Sequence, residues 1–330
     1  MIQYLFRRLL YMILTVFVLS IVIFMVIQLP AGDFVNTLAR QYTASGRTVD
    51  QTFLDNLRHQ YGLDRPAYIQ YLSWMGNVLQ GNLGWSFSYQ KPVSQLIGER
   101  IQLTSAISLV TLLFTYLIAI PIGVFSATHQ YTVGDYLFMF VGFIGMASPS
   151  FLLALILIVI FLNSGLGVGG LFSPEYLRAP WSLDRLIDLA KHLPLPIIII
   201  GTAGTAGLIR IMRASLLDEL GKQYVVTARA KGVNETTLLF KYPFRVSLNP
   251  ILCTIGWELP GIVSGGVIVE MVLNLPTTGP MLYSALIGQD MFLASSLLLF
   301  LNVLTVIGTL VSDILLVIVD PRIRFTSREA

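Results

Sequence analysis

The chain has 330 residues, 55% of them hydrophobic and 12% charged, with a mean hydropathy of +0.74. That is about half the charge of an ordinary soluble domain, and it excludes disordered, collagen-like and disulfide-scaffold proteins. The lone Cys253 lies in an apolar run and reads as a small buried hydrophobe, while a net charge of +3 is too weak and dispersed to point to nucleic acid.

In chain order, Arg7-Arg8 precedes an uncharged run from Leu9 to Leu29. As a helix this run reaches roughly 31 Å, enough to cross a bilayer core. It is too long for a signal peptide and reads as an uncleaved anchor. Five further apolar runs meet the same length test: Thr104 to Ala127, Tyr136 to Leu162, Leu193 to Met212, Ile251 to Val272 and Leu297 to Val319. The expectation is an all-α integral membrane protein of six spans with both termini on one side of the bilayer. With the N-terminus inside, the short inner segments collect eleven basic residues, including Arg213, Lys222, Arg229, Lys231, Lys241 and Arg245 between spans four and five. The short outer segments hold only Arg178, Arg185 and Lys191, so both termini are expected to be cytoplasmic.

The segment 30–100, expected outside the membrane on the far side, carries helix punctuation. Asp50 can cap a helix bearing Phe53, Leu54, Leu57 and Tyr61 that ends at Gly62. Pro66 opens a second helix, with a stripe of Ile69, Leu72, Met75 and Leu79, closed by Gly81. After span three, Gly165, Gly167, Gly169 and Gly170 make a turn, and Ser182 can cap a short helix carrying Leu183, Leu186 and Ile187. These outer pieces contact a partner or lie on the membrane surface. The expected domains are 1–29 (N-terminus and first span), 30–100 (helical outer segment), 101–320 (five-span core containing a cytoplasmic loop at 213–250) and 321–330 (cytoplasmic tail).

No enzymatic set is legible. The sequence has no G-x-x-x-x-G-K-[ST] phosphate loop, and His59, His129 and His192 have no metal-ligand spacing and read as surface or interface residues. The informative stretch lies between spans four and five. Tyr224 to Lys231 consists of good helix formers and ends at Gly232, the residue suited to a left-handed position past a helix end. Asn234 can cap a second short helix, with Glu235 in its first turn, that runs to Pro243. Helix, sharp glycine turn and helix make an element able to dock into a groove of another protein. The alternative is a plain solvated loop.

This stretch resembles the coupling loop of ABC importer permeases, whose pattern is Glu-Ala-Ala, three residues and Gly, and in particular its peptide-permease version. Here it reads Thr227-Ala228-Arg229-Ala230-Lys231-Gly232, with Pro250 eighteen residues on. The flanks agree: Arg210-Ile211-Met212-Arg213 before the loop, Tyr61-Gly62-Leu63-Asp64-Arg65-Pro66 outside, and Asp320-Pro321-Arg322-Ile323-Arg324 at the end. The likeness covers nearly the whole chain and is to the first (B-type) permease subunit of dipeptide and oligopeptide importers. It departs from the pattern at Val226, which replaces the glutamate, and at Pro276-Thr277-Thr278-Gly279 and Gln289-Asp290-Met291 after span five.

The resemblance implies a type I permease fold in a prokaryotic cytoplasmic (inner) membrane. It implies half of a translocation pathway for oligopeptides or similar oligomers such as oligosaccharides. The implied partners are a second, different six-span permease, two cytosolic ABC ATPases carrying ATP and Mg, and an extracytoplasmic substrate-binding protein. No cofactor is expected on this chain itself. Coupling to the ATPase is then assigned to Tyr224, Thr227, Ala228, Arg229, Ala230, Lys231, Gly232 and Asn234. Acids inside spans are functional candidates, so Glu258, Glu270 and Asp313, with Ser264 of the small-residue stretch Gly261 to Gly266, are candidates for the pathway. Glu258 and Asp313 stand at matched depth on spans five and six and could face one cavity. The competing reading is an ion-coupled secondary transporter using these acids as relays, for which the sequence shows no internal repeat.

Overall fold

The computed structural model describes residues 2–29, 33–46, 50–162, 167–177 and 179–319, apart from the side chains of 2–7, 41, 203, 257, 259–265 and 319. The expectations placed on Pro30 to Gly32, Gly165, Arg178, the side chain of Ser264, and Asp320 to Arg324 with the tail lie outside the described residues. In chain order the elements are α1 (Ile2–Gln28), α2 (Phe34–Ala44), α3 (Gln51–Tyr61), α4 (Ala67–Leu79), β1 (Trp85–Ser86), β2 (Lys91–Pro92), α5 (Val93–Thr128), α6 (Val133–Ala147) and α7 (Ser150–Phe161). They continue with α8 (Leu183–His192), α9 (Pro194–Leu220), α10 (Gln223–Ala230), α11 (Glu235–Lys241), α12 (Pro243–Ser247), α13 (Asn249–Gly265), α14 (Val267–Val272), α15 (Thr278–Ile287) and α16 (Met291–Val319). Among the described residues the regular structure is helical but for one short antiparallel ladder, Trp85 opposite Pro92 and Ser86 opposite Lys91, which the all-helical expectation did not contain.

Among the described residues, Arg8–Gln28, Val93–Thr128 and Met291–Ile318 are each long and apolar enough to cross a membrane. Two bent pairs, Val133–Ala147 with Ser150–Phe161 and Leu183–Thr202 with Gly204–Leu220, meet the same test jointly. The run from Tyr136 to Leu162, expected to span the membrane, is bent by 109° between α6 and α7. Ser148 is extended and Pro149 starts the next helix, as a proline that lacks an N–H and disfavours helical geometry in the residue before it requires. The helix expected from Thr104 begins at Val93, since Ser94, Glu99, Arg100 and Gln102 continue it beyond the apolar run. The fifth run is split at Gly266 into α13 and α14.

Two compact units are distinguished, and each is described separately. One comprises Leu9–Thr104 and Thr277–Val303. Here Asp50 caps α3 by accepting from the Thr52 amide at 3.1 Å, and Gly62 ends it in the left-handed region at φ +67°. Helix α4 follows Pro66 as expected, yet its buried side chain is Trp74, while Leu72 and Leu79 of the expected stripe are exposed. Trp74 stacks on Phe24, and Tyr71 meets both rings, so aromatic packing rather than aliphatic periodicity selects the inner face. The core of this unit joins Val93, Leu96 and Ile97 of α5 to Met281, Leu282 and Ala285 of α15 and Leu293 and Leu297 of α16. Beneath the ladder, the fully buried Asp290 accepts from Ser86 Oγ at 2.6 Å, the Ser88 amide at 3.0 Å and the Leu293 amide at 3.3 Å. Three donors satisfy a carboxylate that would otherwise be costly to bury.

The other unit comprises Met1–Arg8, Ser105–Pro276 and Leu304–Ala330. Helix α9 is its centre, packing against α6, α7, α8, α12, α13 and α14. Its core gathers Ala119 of α5, Leu208, Ile209, Met212 and Leu216 of α9, and Ile251 of α13. Gly123 permits the close approach of α5 to α9, because a Cβ there would stand 2.5 Å from Met212 Cβ. Gly308 and Gly256 likewise bring α16 against α13, a Cβ on Gly308 meeting the Gly256 carbonyl at 3.1 Å. Asp135, in the first turn of α6, is 2% exposed and accepts from Arg213 of α9 through Nε at 3.0 Å and Nη2 at 2.9 Å. Cys253, expected buried, is exposed on α13.

Candidate functional site

The helix–turn–helix between α9 and α12 forms as its punctuation dictates. Helix α10 ends in a Schellman arrangement: the Gly232 amide donates to the Arg229 carbonyl at 3.0 Å and the Val233 amide to the Ala228 carbonyl at 3.3 Å. Gly232 is at φ +77°, the left-handed region that glycine enters without a Cβ penalty. Asn234 then caps α11, accepting from the Thr236 amide at 3.1 Å.

Val225 of α10 and Leu238 of α11 are fully buried and anchor the element. The remaining surface is presented outward: Tyr224, Thr227, Arg229, Ala230, Lys231, Gly232 and Asn234 are exposed and Ala228 is half-buried. All eight expected coupling residues therefore fall on one contiguous element. Two polar links stiffen it. Arg229 clasps Glu235 across the turn at 2.5 and 3.0 Å, and Tyr224 donates to Glu219 at 2.5 Å. The Arg229 guanidinium holds the Glu235 carboxyl below the usual carboxylate range. With Val226 exposed beside Tyr224, the outward face of α10 mixes apolar and cationic groups and has no acid of its own.

Glu258, half-buried on α13, lies over Gly204 of α9, where a Cβ would stand 3.3 Å from its Oε2. One turn away Tyr116 and Thr254 share a hydrogen bond of 2.5 Å, so hydroxyls from α5 and α13 and the Glu258 carboxylate form one polar cluster inside the bundle. Glu270 is 3% exposed on α14. Asp313 of α16 accepts from Arg8, at the start of the first apolar run, at 3.0 Å. His192, expected at a surface or an interface, is buried, its Nδ1 bonded 2.8 Å from the Asp188 carbonyl.

Sequence reasoning missed Asp135, the partner of Arg213. Thr132, three residues earlier, accepts from the Asp135 amide at 3.3 Å, a capping-box spacing that starts α6 ahead of the apolar run. That spacing was the available signal.

Apolar helices that meet the membrane-span test, with an exposed helix–turn–helix among them, define a helical membrane protein. Residues 119–325 match the family described as "Binding-protein-dependent transport system inner membrane component", and residues 1–109 match the N-terminal family of the same systems. The chain belongs to this family of ABC importer permease subunits. It is 35% identical to the oligopeptide transport system permease protein AppB of Bacillus subtilis over 98% of this chain and 100% of that one. It is 29% identical to the oligopeptide transport system permease protein OppB of Haemophilus influenzae and to the glutathione transport system permease protein GsiC of an Escherichia coli strain, each over 98% of this chain and 100% of the relative. It is thus a multi-pass inner-membrane permease subunit that acts within a transporter complex. Membership of a binding-protein-dependent system sets aside the ion-coupled alternative.

Proposed function

We propose that this chain forms one half of a peptide pathway and receives the stroke of a cytosolic ATPase through α10, the Gly232 turn and α11. One observation carries the reading: an outward-facing helix–turn–helix, preformed on Val225 and Leu238, with Thr227 to Lys231 presented for docking. The peptide cargo is supported by the oligopeptide and glutathione systems to which the relatives belong. Around this chain we place a second, different six-span permease, two ATPases that carry ATP and Mg, and an extracytoplasmic binding protein. The six spans of this chain are α1, α5, the α6–α7 pair, α9 with the end of α8, α13 with α14, and α16. Both termini are then cytoplasmic, and α2, α3 and α4 lie outside.

The test is a cross-link. With Cys253 replaced by serine, Ala230→Cys is expected to join a cysteine in the ATPase groove within the assembled transporter, and the yield should change on ATP binding. No cross-link at any groove position rejects the docking.

For the pathway, Glu258, Ser264, Glu270 and Asp313 remain the proposed set, with distinct roles. Glu258 in the Tyr116–Thr254 cluster is the gating acid, and Asp313 with Arg8 is a latch between α16 and α1. Glu258→Gln is expected to lower ATP-driven peptide uptake at least tenfold with assembly intact. Unchanged uptake would remove Glu258 from the pathway.

A further inference from the structure

In the unit made of Leu9–Thr104 and Thr277–Val303, a cavity of about 760 Å³ is built from two chemically different halves. Val26, in the last turn of α1, and Ala294 and Leu298, in the first turns of α16, form the apolar half. Both helices meet the membrane-span test, and the cavity sits at their ends, so it opens at the boundary between hydrocarbon and water. The exposed apolar stripe of α1, Val22, Met25 and Val26 at helical spacing, runs straight to its mouth, at 47%, 62% and 52% exposure.

The polar half comes from the α3–α4 corner and the start of α2: Arg58, Arg65, Gln70 and Asp33. Arg58 donates to Asp33 at 2.9 Å, Asp55 at 3.0 Å and Asn36 at 2.6 Å. All three guanidinium nitrogens are engaged, by two carboxylates and an amide oxygen, so Arg58 is spent within the protein. Arg65 is exposed at the rim. Asp290 also lines the cavity, but its carboxylate is committed to Ser86, Ser88 and Leu293.

We propose that this cavity is a binding site for a single phospholipid, one acyl chain lying along Val26, Ala294 and Leu298 and the phosphate resting against Arg65. The volume is that of a small-molecule site and takes one chain and part of a head group, the second chain staying in the bilayer. A phosphate on the exposed Arg65 guanidinium forms the charge-assisted hydrogen bonds for which arginine is suited. The continuity of the apolar half with the exposed stripe of α1 favours lipid over a peptide in transit, whose route would not be walled by bilayer-facing positions. The inference rests on membership of the membrane family and the placement of α1 and α16, not on the identity of the cargo.

The test uses the complete transporter, reconstituted in nanodiscs of phosphatidylethanolamine and phosphatidylglycerol, then delipidated in detergent and weighed by native mass spectrometry. The wild type is expected to retain one phospholipid per copy of this chain. Ala294→Trp, which fills the apolar half, should lower that occupancy at least fivefold. Arg65→Glu, an exposed change with no core contact, should lower it at least threefold at an unchanged melting temperature. Equal retention in Arg65→Glu overturns the proposal even if Ala294→Trp fails to assemble. Displacement of the lipid by a labelled tripeptide at the same stoichiometry also overturns it and assigns the cavity to peptide.

Discussion

Replacing Asp135 by alanine is expected to destabilise the permease by about 3 kcal/mol, at the lower end of what breaking a buried ion pair costs. The side chain of Asp135 is 3% exposed and that of its partner Arg213 23%, so the orphaned guanidinium recovers only part of its lost solvation. The carboxylate also accepts from the Tyr131 amide at 3.1 Å, which then loses its acceptor. Arg213→Ala should cost at least as much, because the anion left behind is the more buried partner. The double change Asp135→Leu with Arg213→Met is expected to recover most of the loss, since matched apolar groups commonly equal or exceed a buried pair. Reversible unfolding in mixed micelles measures all three. Additive losses in the double variant would show that the pair is not a coupled unit.

The second large effect is on coupling. Gly232→Val places a β-branched residue at φ +77°, where the left-handed conformation costs about 1–2 kcal/mol for an ordinary residue and more for valine. A Cβ on Gly232 would meet nothing within 4 Å, so the penalty is one of backbone conformation and not of crowding within the chain. About 2 kcal/mol lowers the population of the docked form roughly thirtyfold. ATP-driven uptake should therefore fall at least tenfold, and the backbone amides of 228–236 should exchange faster with deuterium in the assembled transporter. Gly232→Asn, whose side chain tolerates the left-handed region, should keep most of the uptake. Equal losses for valine and asparagine would shift the cause from backbone geometry to contact with the ATPase.

The parts legible in the sequence are those whose cause is local. Asp50 with Gly62, Ser182, and the Gly232–Asn234 pair each set a helix boundary through hydrogen bonds spanning two to five residues, and each boundary stands where the residues place it. The helix–turn–helix of α10 and α11 was readable for the same reason. The polar pairs that lock distant segments were not: Asp135 and Arg213 are 78 residues apart, Ser86 and Asp290 are 204, and Arg8 and Asp313 are 305. Nothing in an apolar-run count relates such positions. That count also passed over Ser148-Pro149, where the proline was the local signal for the bend between α6 and α7. On α4 the aliphatic stripe misled because Trp74 and Tyr71, with a stacking partner in Phe24, outcompete Leu72 and Leu79 for the interior.

Asp290 also bears on how this subunit could be recombined with its relatives. Its carboxylate is shared between the ladder at 85–92 and the first turn of α16, so these two stretches, nearly two hundred residues apart in the chain, form one exchangeable module. A chimera that takes residues 30–100 from one permease and its last helix from another should carry Asn82 to Pro92 together with Gly288 to Leu293. Cutting between them would pair a foreign hairpin with a buried acid and leave that acid to find new donors.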